Sequence, residues 1–167
     1  MKELLDQYAI YNTWANARLL NLMETLDESK IHREIASSFN SLYKTAFHLF
    51  TATSIWFGRF QKQPYIEKDD PFQGSIASLS AGLQGIDQKW MDWVIEKDEV
   101  FLLQHWSYKN LKGVPCNDPV YQILVHIFNH ATYHRGQMVT MLRELQIDAI
   151  PPTDFILWCR LQKEKKK

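Results

Sequence analysis

The 167-residue sequence predicts an all-α protein, a four-helix bundle with a short C-terminal helix and a small β-hairpin before the fourth long helix. Three observations predict this fold class. Apolar residues recur at the spacing of one helical face over four long segments. Gly and Pro number only six each, too few for a turn-rich all-β chain or a disordered one. Hydrophobic residues make up 46% of the chain and aromatics 13%, with six Trp, enough to fill a core at this length without disulfide or metal staples.

The first helix is expected from Glu3 to about Glu24, where Leu4, Leu5, Tyr8, Tyr11, Trp14, Ala15, Leu19, Leu22 and Met23 follow an amphipathic spacing. Asp27 begins a polar break with a short helical turn around Ser29 to Glu34. The run "SSFNS" then offers Asn40 or Ser41 as N-cap of a second long helix reaching about Gln61. That helix, "LYKTAFHLFTATSIWFGRF", is almost wholly apolar and should be deeply buried. The segment "QKQPYIEKDDPFQG" holds two prolines and a charge cluster and reads as a surface connection.

A third long helix fits Ser75 to about Lys97, with Gly82 and Gly85 weakening its middle. Val100 to Cys116 reads as a short two-stranded flap. In "NDP", Asp118 is placed to cap the next helix and Pro119 to occupy its first position, starting a fourth long helix that ends near Leu145. "AIPPTD" closes it and, with Thr153 or Asp154 as cap, opens a short last helix that runs into "KEKKK", lysines solvating the negative end of that helix. No internal repeat or long linker is visible, so residues 1–167 are expected to form one domain.

Lys+Arg and Asp+Glu balance at 19 each, which provides no global field for polyanions and makes nucleic acid a poor partner. No run of about 18 apolar residues and no signal-type start occur, so no membrane partner and a cytoplasmic location are expected. Cys116 and Cys159 lack CxxC spacing and are expected to be free.

Chemistry concentrates in "NHATYHRGQM". His126, His130 and His134 fan across only about 80° of one helical face. Yet His126 and His134 stand about 12 Å apart along the axis, whereas zinc-type ligands lie within about 2.1 Å of their ion. At most two can hold one metal, and His130 belongs to either pair. A third ligand must come from another helix; His48 is the best placed, beside the small residues Thr45 and Ala52, ahead of His32 and His105. A metalloprotease HExxH is excluded by Ala131, and no Glu precedes a His by three residues as a di-iron bundle needs. Haem is not excluded by spacing. No Ser/His/Asp or Cys/His nucleophile arrangement and no glycine-rich phosphate loop can be argued, so no catalytic residue is assigned.

"HIFNHATYHRGQMVTMLREL" resembles the fourth-helix signature of the DinB/YfiT-like metalloenzyme family, and "YNTWANARLL" is similar to its first-helix motif. "SLYKTAFHLFTATSIWFGRF" and "PPTDFILWCR" resemble its second helix and closing segment. The resemblance implies a mirror variant of the up-and-down bundle with a three-histidine divalent metal site, often nickel or zinc. Its ligands fall on His48, His130 and His134, and His126 becomes a supporting or core histidine. Such a site implies a metal-dependent enzyme that acts on a small electrophilic substrate, with a low-molecular-weight thiol or water as nucleophile; the alternative is a non-catalytic metal-dependent stress-response sensor, and a third is a dimerising bundle with a vestigial site. Family relatives are often homodimers. Around the open metal position one would look for Tyr11, Trp14 and Arg18, although core packing is favoured for the two aromatics, and for Gln137, about 20° from His130 in projection. Arg135 and Tyr133 turn away from that position, Arg135 toward a structural salt bridge or a subunit contact.

Overall fold

The structure, a computed structural model, describes residues 1–63 and 69–164. Seven helices and one hairpin follow in the order α1 (Lys2–Met23), α2 (Glu28–Ile31), α3 (Leu42–Phe60), α4 (Ile76–Glu96), α5 (Glu99–Leu103), β1 (His105–Lys109), β2 (Pro115–Pro119), α6 (Val120–Glu144) and α7 (Phe155–Glu164). The expected four long helices are α1, α3, α4 and α6. Caps explain two of their starts: Ser41 Oγ accepts from the Lys44 amide and Ser75 Oγ from the Ser78 amide.

The long helices pack so that α1 and α3 each touch α4 and α6, which places α1 and α3 on one diagonal of the bundle. Direction follows from the contacts. Trp90 Nε1 donates to Thr53 O while Phe72, just before α4, meets Phe50, so α3 and α4 run parallel. Asn12 and Asn16 reach Arg135 and Tyr8 meets Phe128, so α1 and α6 are parallel. Lys2 reaches Val94 O and Thr13 reaches Asp87 O, which makes α1 antiparallel to α4. The helices thus run up, down, down, up. Parallel α3 and α4 need a long return between them, and its described part, Asp69 to Ser75, comes back to the start of α3: Asp70 Oδ2 accepts from Tyr43 Oη at 2.5 Å and Phe72 packs on Phe47 and Phe50.

The core runs through all four long helices. Leu19, Leu42, Leu79, Leu83 and Leu124 are wholly buried, each contributing about 1.5–3 kcal/mol by leaving water. Gly82 and Gly85 both lie inside α4, overruled by its apolar stripe of Leu79, Leu83, Ile86, Trp90 and Val94. At Gly82 a side chain would meet Phe72 Cζ at 2.6 Å, so the glycine admits the return segment, whereas Gly85 faces open space.

Two expectations are corrected. The flap does not begin at Val100: Asp98 Oδ1 accepts from the Phe101 amide and caps α5, and only then does β1 start. "NDP" does not cap a helix, because Asn117, Asp118 and Pro119 complete β2, paired with Ser107, Trp106 and His105, and Asp118 Oδ2 accepts from Tyr108 Oη instead. Alternating strand exposure and a phenol partner outcompete the local cap. Tyr11 and Trp14 follow the core packing favoured for them: Tyr11 donates to Thr153 O and packs with Trp14, Phe155 and Trp158, while Arg18 lies over Trp14. Their helix is diagonal to α3, and α7 covers that face. The lysine tail from Lys165 and the connection at 64–68 lie outside the described residues.

Candidate metal centre

Two helices that run antiparallel, α3 and α6, bring His48 and His130 face to face. His48 Nε2 lies 3.2 Å from His130 Nε2, and His134 Nε2 lies 3.1 Å from the same atom. Two nitrogens bound at about 2.05 Å in a tetrahedral shell stand about 3.3 Å apart, so these spacings are those of ligands around one ion. The donor atoms of all three histidines lie within 4.8 Å of one another. Of the histidines weighed as ligands, the structure brings these three together. His32 instead holds Gly74 O, and His105 sits in β1 near Asn117 O. His126 stays apart, exposed, with its ring 6.0 Å from that of His130 and edge-on to Trp56 at 5.6 Å.

Tautomer and charge suit a cation as well. Gln137 Oε1 accepts from His134 Nδ1 at 2.7 Å, which leaves the lone pair on the Nε2 that faces His130. The Gln137 amide is itself held, donating to Ser38 Oγ at 2.8 Å. Gln137 therefore stands behind His134 rather than over the open position expected for it. Burial, with the charge of His134 added, pushes His48 down to about 4; burial and the charges of His134, His48 and His126 push His130 down to about 4. Burial also lowers His134, against the opposing bond to Gln137. All three imidazoles are neutral at pH 7, the form that binds a metal.

Two contributors had no signal in the sequence. Phe39, in the connection before α3, lies flat on His48 with centroids 4.0 Å apart and tilts against His134 at 5.6 Å. Its position follows only from the path of that connection. The other is the polar core behind α6. Arg135 is buried and donates to Asn12 Oδ1 and Asn16 Oδ1, both at 2.8 Å, and to Thr132 Oγ1 at 2.7 Å. Asn16 Nδ2 and Asn12 Nδ2 in turn donate to Asp87, whose carboxyl burial raises to about 7 against the pull of Asn16 and Arg135. Among the described residues Arg135 so makes no direct salt bridge, and it lies buried; two asparagines of the "YNTWANARLL" stretch relay it to Asp87.

Three neutral imidazoles could hold a divalent ion and would leave it its charge. With fold and site described, the likeness to known proteins becomes specific. The DinB family model matches residues 1–164. Protein DinB of Bacillus subtilis (strain 168) is 25% identical over 164 residues, covering 93% of this chain and 94% of that protein. The crystal structure of a DinB-like protein from Bacillus cereus ATCC 10987 superposes with a TM-score of 0.66 at 23% identity, over 86% of this chain and 91% of that one. The match reaches from the first residue of α1 to the last described turn of α7, and the chain belongs to the DinB family.

Proposed function

We propose that the chain is a divalent-metal-dependent enzyme whose His48, His130 and His134 hold one ion, nickel or zinc, and whose substrate is a small electrophile attacked by a low-molecular-weight thiol or by water. The observation that carries this reading is the meeting of three neutral imidazole nitrogens from two antiparallel helices at ligand spacing. When bound, such an ion supplies a Lewis acid that keeps a thiol or water deprotonated near neutral pH. The chain's own side chains orient and shield. Gln137 fixes the His134 tautomer, Phe39 covers the His48 ring from one side, and Arg135 with its asparagines anchors α6 to α1.

Metal content of the untagged protein, measured by elemental analysis after loading, tests the first half: about one ion per chain is expected, and none in His130→Ala. Equal metal in the variant, or none in the wild type, rejects the site. Turnover of a panel of electrophiles with several cellular thiols tests the second half, and a loaded protein inert toward every combination rejects the thiol-transfer chemistry.

A further inference from the structure

Away from the histidines, along the same α3–α6 seam, Arg59 stands without an acid among the described residues. Arg59 follows His48 by three helical turns and about 20° of rotation, so both look the same way, about 16 Å apart along the axis. Its guanidinium lies over Trp56 at 4.2 Å and over Tyr108 at 5.1 Å. Among the described residues it forms no ion pair and donates no hydrogen bond, although a guanidinium offers five N–H donors. Two aromatic faces hold its planar fork in place.

The surroundings carry one sign of charge. Arg59, Lys62 and Lys109 line a pocket of about 500 Å³, and among the described residues no acid joins them there. In a chain with formal net charge zero, that asymmetry is local. Tyr108 joins this pocket to a second cleft of about 220 Å³, bounded by Trp56, Asp118 and His126. Asp118 faces this cleft rather than the basic pocket, and its Oδ2 is already engaged by Tyr108 Oη at 2.8 Å. His126 closes the row, its ring 5.6 Å from that of Trp56 and 6.0 Å from that of His130. The sequence of groups is therefore histidine cluster, His126, aromatic pair, guanidinium.

We infer that Arg59, with Lys62 and Lys109, is an anion subsite that binds a carboxylate or similar compact oxyanion at the far end of an elongated substrate whose reacting end lies at the three histidines. The inference rests on the reading of His48, His130 and His134 as a metal centre, and it narrows the substrate to one with an anionic group about three helical turns from its reacting atom. Arg59 supplies a planar, preorganised fork that costs little entropy to engage. Lys62 and Lys109 add field without fixed geometry. Trp56 and Tyr108 flank the apolar or planar middle of the substrate.

The test uses the full-length, cobalt(II)-loaded protein, in which thiolate binding is read from its charge-transfer absorption. The probes are ω-mercaptoalkanoates from mercaptoacetate to mercaptoundecanoate, each beside its methyl ester. The free acid should bind at least about tenfold more tightly than its ester once the chain is long enough to reach Arg59, and at no shorter length. Arg59→Gln should abolish the preference, and Lys62→Gln/Lys109→Gln, on exposed side chains, should weaken it in the same direction. Equal binding of acid and ester at every length, or a preference that survives in Arg59→Gln, overturns the subsite. A parallel arm in the metal-free protein follows octanoate by saturation-transfer NMR, with a signal expected in the wild type and lost in Arg59→Gln. If octanoate binds in this way while no thiol gives a charge-transfer band, the metal centre has failed and the bridging substrate with it; if thiols give the band and octanoate binds equally to both proteins, only the anion subsite has failed.

Discussion

His134 Nδ1 and Gln137 Oε1 are 2.7 Å apart, and that one bond decides which nitrogen of His134 faces the other two histidines. Replacing the amide removes the decision without touching a ligand. Gln137→Leu should weaken metal binding by about 10–100-fold. Competition against a fluorescent zinc chelator measures it, and unchanged affinity would show that the ring needs no such support.

His130 Nε2 is the atom shared by both short contacts, to His48 and to His134. His130→Ala should eliminate stoichiometric metal, whereas His126→Ala, its exposed ring a further turn away, should retain it. Elemental analysis of the two variants side by side checks the pair.

The pH response has a definite sign. His48 and His130 are held down at about 4, while an unfolded histidine titrates near 6.5, so between those values the unfolded chain binds more protons. The histidine contribution to stability is therefore complete above about pH 6.5, falls as pH drops through the window, and levels off below about 4. Asp87, raised to about 7 from 3.8, acts with the opposite sign over an overlapping range, because there the folded chain binds the extra proton. Thermal melts of metal-free wild type and His130→Gln isolate the histidine share: the variant should lose less Tm on going from pH 7 to pH 4.5. Parallel pH dependence in the two proteins would contradict the assigned directions.

Arg135→Met would strip the donors from Asn12, Asn16 and Thr132 in the core and leave the Asp87 relay without its cation. A loss of about 3–5 kcal/mol is expected, the range for breaking a buried charge network by removing one partner. Urea unfolding gives the number. Asn16→Ala should cost less, since Arg135 keeps its bonds to Asn12 and Thr132.

The two glycines of α4 should part company. At Gly85 nothing lies within 4 Å of an added Cβ, so Gly85→Ala should stabilise by about 0.5–1 kcal/mol through helix propensity alone. At Gly82 the methyl would press on Phe72, itself wedged against Phe47 and Phe50, and Gly82→Ala should show no gain or a loss. Tm values of the two variants decide, and a shared rise would show that Phe72 yields freely.

Much of the fold was legible because its signals were periodic and local. The four long helices announced themselves through 3.6-residue spacing, and Ser41, offered beside Asn40, through cap chemistry, whereas Ser75 read as a first helical residue and is the cap. Spacing also limited the fourth-helix ligands to two and named His130 as common to either pair. What stayed hidden depended on partners distant in sequence. Asp118 looked like a cap because its cross-strand neighbours could not be seen, and Gln137 looked like a substrate contact because projection angles omit the bond back to its own helix. The diagonal placement of α1 and α3, which removed Tyr11 and Trp14 from the histidines, is a matter of handedness and connection path that no window of residues contains.

His48 and His130 lie 82 positions apart in the chain, on the second and the last of the long helices. The three-histidine cluster is thus a late product of biosynthesis: a nascent chain that has emerged only through α4 carries His48 alone of the three. An ion seated there would close a loop of half the protein, so metal capture would report a completed bundle, and loading would serve as a natural assay of correct assembly.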